Sequence, residues 1–124
     1  MTQVSFKIYH NPRCSKSRKA LEILNSKTKD FKIIKYLEDG IDIIELKSIL
    51  SLNKIHKDEI IRTNETTYKE IKSLKKDLSI DETINYIEKF PILLQRPIIS
   101  KYENNIIVKS VVGRPPEKIL SLFD

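Results

Sequence analysis

The residues with the clearest chemistry lie in one run, His10-Asn11-Pro12-Arg13-Cys14-Ser15-Lys16-Ser17-Arg18. Cys14 is the only cysteine in the chain. It stands between an alternating apolar stretch (Val4, Phe6, Ile8) and a stretch with helical spacing (Ala20, Leu21, Ile23, Leu24). A thiol at a helix N-terminus faces unsatisfied N–H groups and the positive end of the helix dipole. Both favour the thiolate, which is the nucleophilic form. A free cysteine is more often an inert buried thiol. The polar, basic turn around Cys14 argues for the reactive reading. His10, at the end of the preceding strand, is placed to lower the thiol pKa or to shuttle a proton. Its bland alternative is a surface histidine at a strand end. His56, among Lys57, Asp58 and Glu59, carries no assignment.

Of 23 basic residues only five are arginine: Arg13, Arg18, Arg62, Arg96 and Arg114. Arginine offers a planar fork that binds an oxyanion bidentately, which lysine does not. Arg62, Arg96 and Arg114 come from three separated segments. If they converge on Cys14, they describe a site for an oxyanion carrying two or three negative charges. Cys14-Ser15-Lys16-Ser17 is not Cys-x-x-Cys, which excludes a dithiol mechanism with an internal resolving cysteine. Ala20 excludes the Cys-x5-Arg loop of tyrosine phosphatases. A lone thiolate cannot resolve its own adduct, so an external thiol partner is implied. No metal site is expected.

The elements that must position these groups can be read in order. Val4 to Tyr9 alternates as a strand, Ser15 to about Ser26 has helical spacing, and Phe31 to Leu37 is a second strand rich in β-formers. Strand, helix, strand at this length makes a parallel pair with a right-handed crossover. Glu38-Asp39-Gly40 reads as a turn. Asp42-Ile43-Ile44-Glu45 resembles a capping box opening a helix to Leu52, apolar at Ile43, Leu46, Ile49 and Leu50. From His56 to Phe90 short helices are expected, broken near Asn64 and Leu78. Ser79-Ile80-Asp81-Glu82 caps the last of these, with Ile84, Ile87 and Phe90 inward and Pro91 ending it. Pro97–Ser100 and Ile106–Val108 read as strands joined by a turn over Lys101–Asn105. Pro115-Pro116, after Gly113 and Arg114, opens a final helix that buries Ile119, Leu120 and Phe123. The order is β-α-β, a helical insertion at about residues 42–90, then β-β-α. This α/β arrangement is that of thioredoxin and glutaredoxin, in which the reactive cysteine opens the first helix. In such folds a cis-proline before the third strand faces the cysteine. Were Pro97 that proline, Arg96 would lie beside Cys14.

Length and composition set bounds on the rest. A chain of 124 residues, 40% hydrophobic, is expected to form one domain, 1–124. Charged residues make up 32% and the mean hydropathy is −0.36, which argues for a soluble protein. No apolar run approaches the ~18 residues of a spanning helix. The first residues carry no secretory signal. A single cysteine fits a reducing cytosol, so a cytoplasmic location is expected, with no membrane partner. The net charge of +6 reads as a lysine-rich solvated surface rather than a nucleic-acid site, because no groove-reading motif accompanies it.

The run His10 to Arg18 resembles the signature of glutaredoxin-dependent arsenate reductases, the thioredoxin-fold class. The resemblance continues through Arg62-Thr63-Asn64-Glu65, Phe90-Pro91-Ile92-Leu93-Leu94-Gln95-Arg96-Pro97-Ile98, and Val112-Gly113-Arg114-Pro115-Pro116-Glu117. It implies that Cys14 attacks arsenate, that Arg62, Arg96 and Arg114 bind the oxyanion, and that His10 depresses the cysteine pKa. Glutathione, as co-substrate, would then attack the arsenylated Cys14, and glutaredoxin would complete the reduction to arsenite. No bound cofactor is implied. Asn11, Arg13, Ser15, Ser17 and Pro97 match as residues that shape the loop and its surroundings. Three alternatives remain. Spx-type regulators, which bind RNA polymerase, share the fold, although many carry Cys-x-x-Cys. A general monothiol reductase would need a peptide groove rather than three arginines. A paralogue acting on another oxyanion would keep the same motif.

Overall fold

A computed structural model describes residues 2–52 and 55–124; Met1, Asn53 and Lys54 lie outside it. Strands β1 (Val4–Tyr9), β2 (Phe31–Ile34), β3 (Ile98–Glu103) and β4 (Ile106–Val112) form one sheet in the order β2-β1-β3-β4. β1 and β2 run parallel, joined through helix α1 (Ser15–Lys27). The β1–β3 and β3–β4 pairs are antiparallel. Between β2 and β3 lie α2 (Tyr36–Asp39), α3 (Ile43–Leu52), α4 (Lys57–Ile60), α5 (Thr66–Leu74), α6 (Ile80–Lys89) and a 3-10 turn, Pro91–Leu93. A 3-10 helix, Pro116–Phe123, ends the chain.

Alternation along the strands sorts their side chains into two buried clusters. Tyr9 and Ile98 join Leu46, Ile49, Ile60, Ile84 and Ile87 on the face covered by the helical insertion. Phe6, Ile8 and Ile99 join Ala20, Leu24, Ile119 and Leu122 on the other face. The sheet register then gathers the strand ends. Tyr9 pairs with Ile34 on one side and with Ile98 on the other, and Ile98 pairs with Val112. The residues just beyond these pairs are His10, Lys35-Tyr36, Arg96-Pro97 and Gly113-Arg114. All four segments therefore meet at one end of the sheet.

Several boundaries differ from the sequence reading, each for a local reason. The second strand stops at Ile34, where its ladder partner β1 ends at Tyr9. The chain turns at Lys35, whose carbonyl accepts from the N–H groups of Glu38 and Asp39 at 3.0 and 2.9 Å. Tyr36 thereby opens α2 and is fully buried. Gly40, at φ 83°, closes that helix where a side chain would be strained. The hairpin strands extend further than expected. The turn is Asn104-Asn105 alone, with φ of 52° and 67°, values that asparagine tolerates. A register shift between Lys101 and Tyr102 had disguised the alternation. The last helix is 3-10, so Ile119 and Leu122, three residues apart, share its buried side. Leu120, expected inside, is exposed, and Phe123 is half-buried, stacked on Phe6 at 4.8 Å. Phe90 is likewise only half-buried, at the end of α6.

The capping expectations divide. Ser79 and Glu82 form a full capping box on α6, with Ile84 and Ile87 buried. Asp42 caps α3 by accepting from the N–H groups of Ile44 and Glu45. Glu45 does not complete a box there. Its carboxylate takes Lys7 Nζ at 2.9 Å and the Tyr9 hydroxyl instead. His56 caps α4, accepting from the Asp58 N–H. Among the described residues no helix is long and apolar enough to cross a membrane.

Candidate active site

Cys14 occupies the N-cap position of α1 with extended backbone angles, φ −96° and ψ 122°. Its N–H donates to the Asn11 carbonyl at 3.0 Å, and its own carbonyl accepts from the Arg18 N–H at 3.0 Å. An N-cap side chain faces the N–H groups of the second and third helical residues, here Lys16 and Ser17. No cap hydrogen bond is closed in the thiol form. The surroundings nonetheless shift the balance towards the thiolate. Partial burial pushes the thiol pKa up, but the Ser17 N–H, the Arg96 guanidinium and the Lys16 N–H together bring it below the ordinary thiol value.

His10 is buried, and its Nδ1 lies 2.7 Å from Ser17 Oγ. The same hydroxyl accepts from the Asn11 N–H at 3.0 Å. The Asn11 side-chain oxygen accepts from the Arg13 N–H at 3.0 Å. His10, Asn11 and Ser17 thus brace the loop that carries Cys14. Burial, and then the charges of Lys35 and Arg18, hold the His10 pKa below its usual value. A neutral imidazole contributes little charge to the thiolate, and the main charged contribution comes from Arg96. Arg13 and Ser15 are exposed. Arg18 ties down the loop by donating to the Pro12 carbonyl at 2.9 Å.

The three arginines come together through Gln95. An antiparallel bridge between Ile61 and Leu94, with Arg62 N–H on the Leu93 carbonyl and Gln95 N–H on the Ile60 carbonyl (both 2.7 Å), aligns the two segments. Gln95 Oε1 accepts from Arg62 Nη1 at 3.1 Å and from Arg114 Nη1 at 3.0 Å. Arg114 also donates to the Arg96 carbonyl at 2.8 Å. Arg62 Nε is paired with Glu65 at 3.0 Å. Arg96 differs from both, since its buried Nε and Nη1 have no hydrogen-bond partner. The Arg96–Pro97 peptide is cis. Pro97 is buried, and its carbonyl accepts from the Gly113 N–H at 2.8 Å.

Cys14, whose surroundings favour its ionised form, therefore stands beside the Arg96 guanidinium, and Arg62 and Arg114 are tied to the same segment through Gln95 and the Arg96 carbonyl. The ArsC family profile matches residues 9–122, a span that includes every one of these residues. The chain belongs to the ArsC family. It is 39% identical over 114 residues to the arsenate reductase of Neisseria meningitidis strain MC58, covering 91% of this chain and 93% of that one. It is 35% identical over 119 residues to the arsenate reductase of Haemophilus influenzae, covering 94% and 97%. Its fold superposes on the arsenate reductase structure from Vibrio cholerae with a TM-score of 0.81 at 34% identity, covering 95% and 97%. The four-stranded sheet with its helices is thus the thioredoxin-like arrangement of the ArsC family.

Within this ArsC-family site, two participants were not singled out from the sequence. Gln95 lies inside the run Phe90 to Ile98, yet a glutamine carries no signal of its own. Tyr36 lies in a stretch whose β-forming residues suggest a strand, but it opens α2. A cleft of about 450 Å³ opens beside the loop, lined by His10, Arg13, Lys35 and Arg96 among others. A larger hollow of about 600 Å³ lies along β1 and α3, but its Lys7, Tyr9 and Glu45 side chains already pair with one another. Among the described residues no group of three or more His, Cys, Asp or Glu is placed to hold a metal ion.

Proposed function

We propose that this protein is an arsenate reductase that uses Cys14 as nucleophile and an external thiol system as reductant. Arsenate carries about two negative charges near neutral pH, so an approaching thiolate needs cationic compensation. Arg96 supplies it directly, and Arg62 and Arg114 complete the positive wall. In the first step the Cys14 thiolate attacks arsenic, an S–As bond forms, and the As–O bond to a hydroxyl of hydrogen arsenate breaks as that hydroxyl takes up a proton and leaves as water. Glutathione then attacks the arsenylated Cys14. Glutaredoxin completes the two-electron reduction, so that two external thiols become a disulfide, arsenic(V) becomes arsenic(III), and Cys14 is regenerated. The reaction runs with no bound cofactor, and a cytoplasmic setting, with its reduced thiol pool, suits it.

The observation that carries this reading is the Arg96 guanidinium. It favours the Cys14 thiolate while keeping two buried N–H donors without a protein acceptor. Donors of this kind beside a nucleophile match the needs of a bound oxyanion. The test is NADPH oxidation coupled through glutathione reductase, with glutathione and glutaredoxin present. Arsenate-dependent oxidation is expected from the wild type and none from Cys14→Ser. Equal rates in the two proteins would refute the mechanism.

A further inference from the structure

Among the described residues, four buried side-chain polar atoms lack a hydrogen-bond partner: Arg96 Nε, Arg96 Nη1, Tyr36 Oη and Tyr102 Oη. Native interiors seldom leave such atoms unmatched, and a group of them signals an occupant. Three of the four belong to Arg96 and Tyr36, and these two residues are neighbours. The Arg96 guanidinium acts on the Tyr36 hydroxyl more strongly than any other group, through its charge and as a donor towards its oxygen, Arg62 acts on it next, and Cys14 acts on it as well.

The fold explains why Tyr36 points there. β2 ends at Ile34, and the Ile34 carbonyl accepts from the His10 N–H at 2.9 Å. That bond fixes the start of α2 beside the loop that carries Cys14. The Tyr36 side chain is fully buried and belongs to the same apolar cluster as Ile61, Leu94 and Ile98. Ile61 adjoins Arg62, and Leu94 and Ile98 flank Gln95-Arg96-Pro97. The ring is anchored under the arginines by packing alone. Its hydroxyl closes no hydrogen bond of good geometry; the Arg96 guanidinium acts on its oxygen, which leaves its proton free to donate.

We propose that Tyr36 is a further substrate-binding residue, whose hydroxyl donates a hydrogen bond to an oxygen of the tetrahedral oxyanion held by Arg96 beside Cys14. Burial keeps this hydroxyl protonated by raising its pKa, so it acts as a neutral donor. It adds a bond to the anion without adding charge to the thiolate's surroundings. The proposal rests on the oxyanion reading of the site and names a group that reading did not include.

Tyr36→Phe in the full chain is the test, because it removes only the hydroxyl. The first readout is protection of Cys14 from iodoacetamide by inorganic phosphate or arsenate. The concentration for half-protection is expected to rise about ten- to hundredfold, the loss typical of one hydrogen bond to a charged group. The alkylation rate without anion is measured for each protein, and protection is expressed relative to it. The melting temperature of the anion-free variant should equal or exceed the wild-type value, since a buried unpartnered hydroxyl has been removed. Half-protection at the wild-type concentration would overturn the proposal. A lower melting temperature without anion would also overturn it, by showing that the hydroxyl serves the fold. A wild type that anions protect but that does not turn over arsenate would refute the reductase reading and leave this one standing. Equal protection of both proteins, with normal turnover, would do the reverse.

Discussion

Arg62 and Arg114 donate to the same atom, the side-chain oxygen of Gln95, at 3.1 and 3.0 Å. One neutral acceptor thus draws two like charges together without cancelling either. Arg62 keeps a second anchor in Glu65, and Arg114 keeps one in the Arg96 carbonyl. Gln95→Leu should therefore fold normally but lose the alignment of both guanidiniums. Arsenate kcat/KM is expected to fall about ten- to hundredfold, chiefly through KM. Gln95→Glu should do more harm despite a melting temperature at least as high. Its carboxylate would pair with both arginines and compete with the oxyanion. Steady-state kinetics and thermal melts of the two variants separate these effects, and a wild-type KM in Gln95→Leu would contradict the role given to Gln95.

On the proposed function, Arg96 tunes the Cys14 thiol as well as holding the anion. In the wild type the pH midpoint of Cys14 alkylation should lie below the ~8.5 of a free thiol. Arg96→Met removes one of the groups that oppose burial, so the midpoint should move upward while the N–H groups of Ser17 and Lys16 remain. Arsenate turnover should drop on the order of tens- to a hundredfold, the equivalent of ~1.5–3 kcal/mol. An unchanged alkylation profile would show that the helix start alone tunes the thiol.

The order of elements could be read because each carries its own local pattern. β1 alternates, α1 has helical spacing after Cys14, and Ser79 and Glu82 announce α6. The arginines stood out through their scarcity among lysines. What could not be read depends on partners distant in sequence. Nothing around Phe31–Leu37 reveals that β1 ends opposite Ile34, so Tyr36 looked like one more strand residue. The shared acceptor role of Gln95 exists only once the Ile61–Leu94 bridge has formed. Leu120 was misplaced because a 3-10 helix shifts the buried side from that of an α-helix. Glu65, whose sequence neighbourhood gives no sign of a partner, offsets one side of the Arg62 charge.

His10 should make stability depend on pH in a defined direction. Its folded-state pKa is depressed, by burial first and then by Lys35 and Arg18. Above the ordinary histidine value of ~6.5 both folded and unfolded chains hold a neutral ring, and the full stability is present. As pH falls below that value, the unfolded chain takes up a proton that the folded state resists. Stability is therefore lost progressively until the folded-state pKa is passed. Glu82, held down to about 2 by Lys75 and its capping contacts, loses its own contribution as pH falls through the ordinary glutamate value of ~4.3, mostly below this window. His10→Gln should flatten the decline in melting temperature between about pH 7 and about pH 5. A variant with the wild-type slope would assign that decline to other groups.

Gly113 is placed where a larger residue has no room. A Cβ there would lie 2.8 Å from Pro97 Cγ and 3.2 Å from Ile99 Cδ1. Pro97 cannot retreat freely, since its carbonyl is bonded to the Gly113 N–H and the residue is buried between β1 and β4. Gly113→Ala should cost about 1–3 kcal/mol, the usual effect of overpacking. The strain should also reach the chemistry, because Arg96 and Arg114 are the immediate neighbours of the two residues pushed apart. A fall in melting temperature should then be accompanied by weaker protection of Cys14 by arsenate, measured well below the melting point. Loss of stability with undiminished protection would show that the contact holds the sheet end together without setting the arginines.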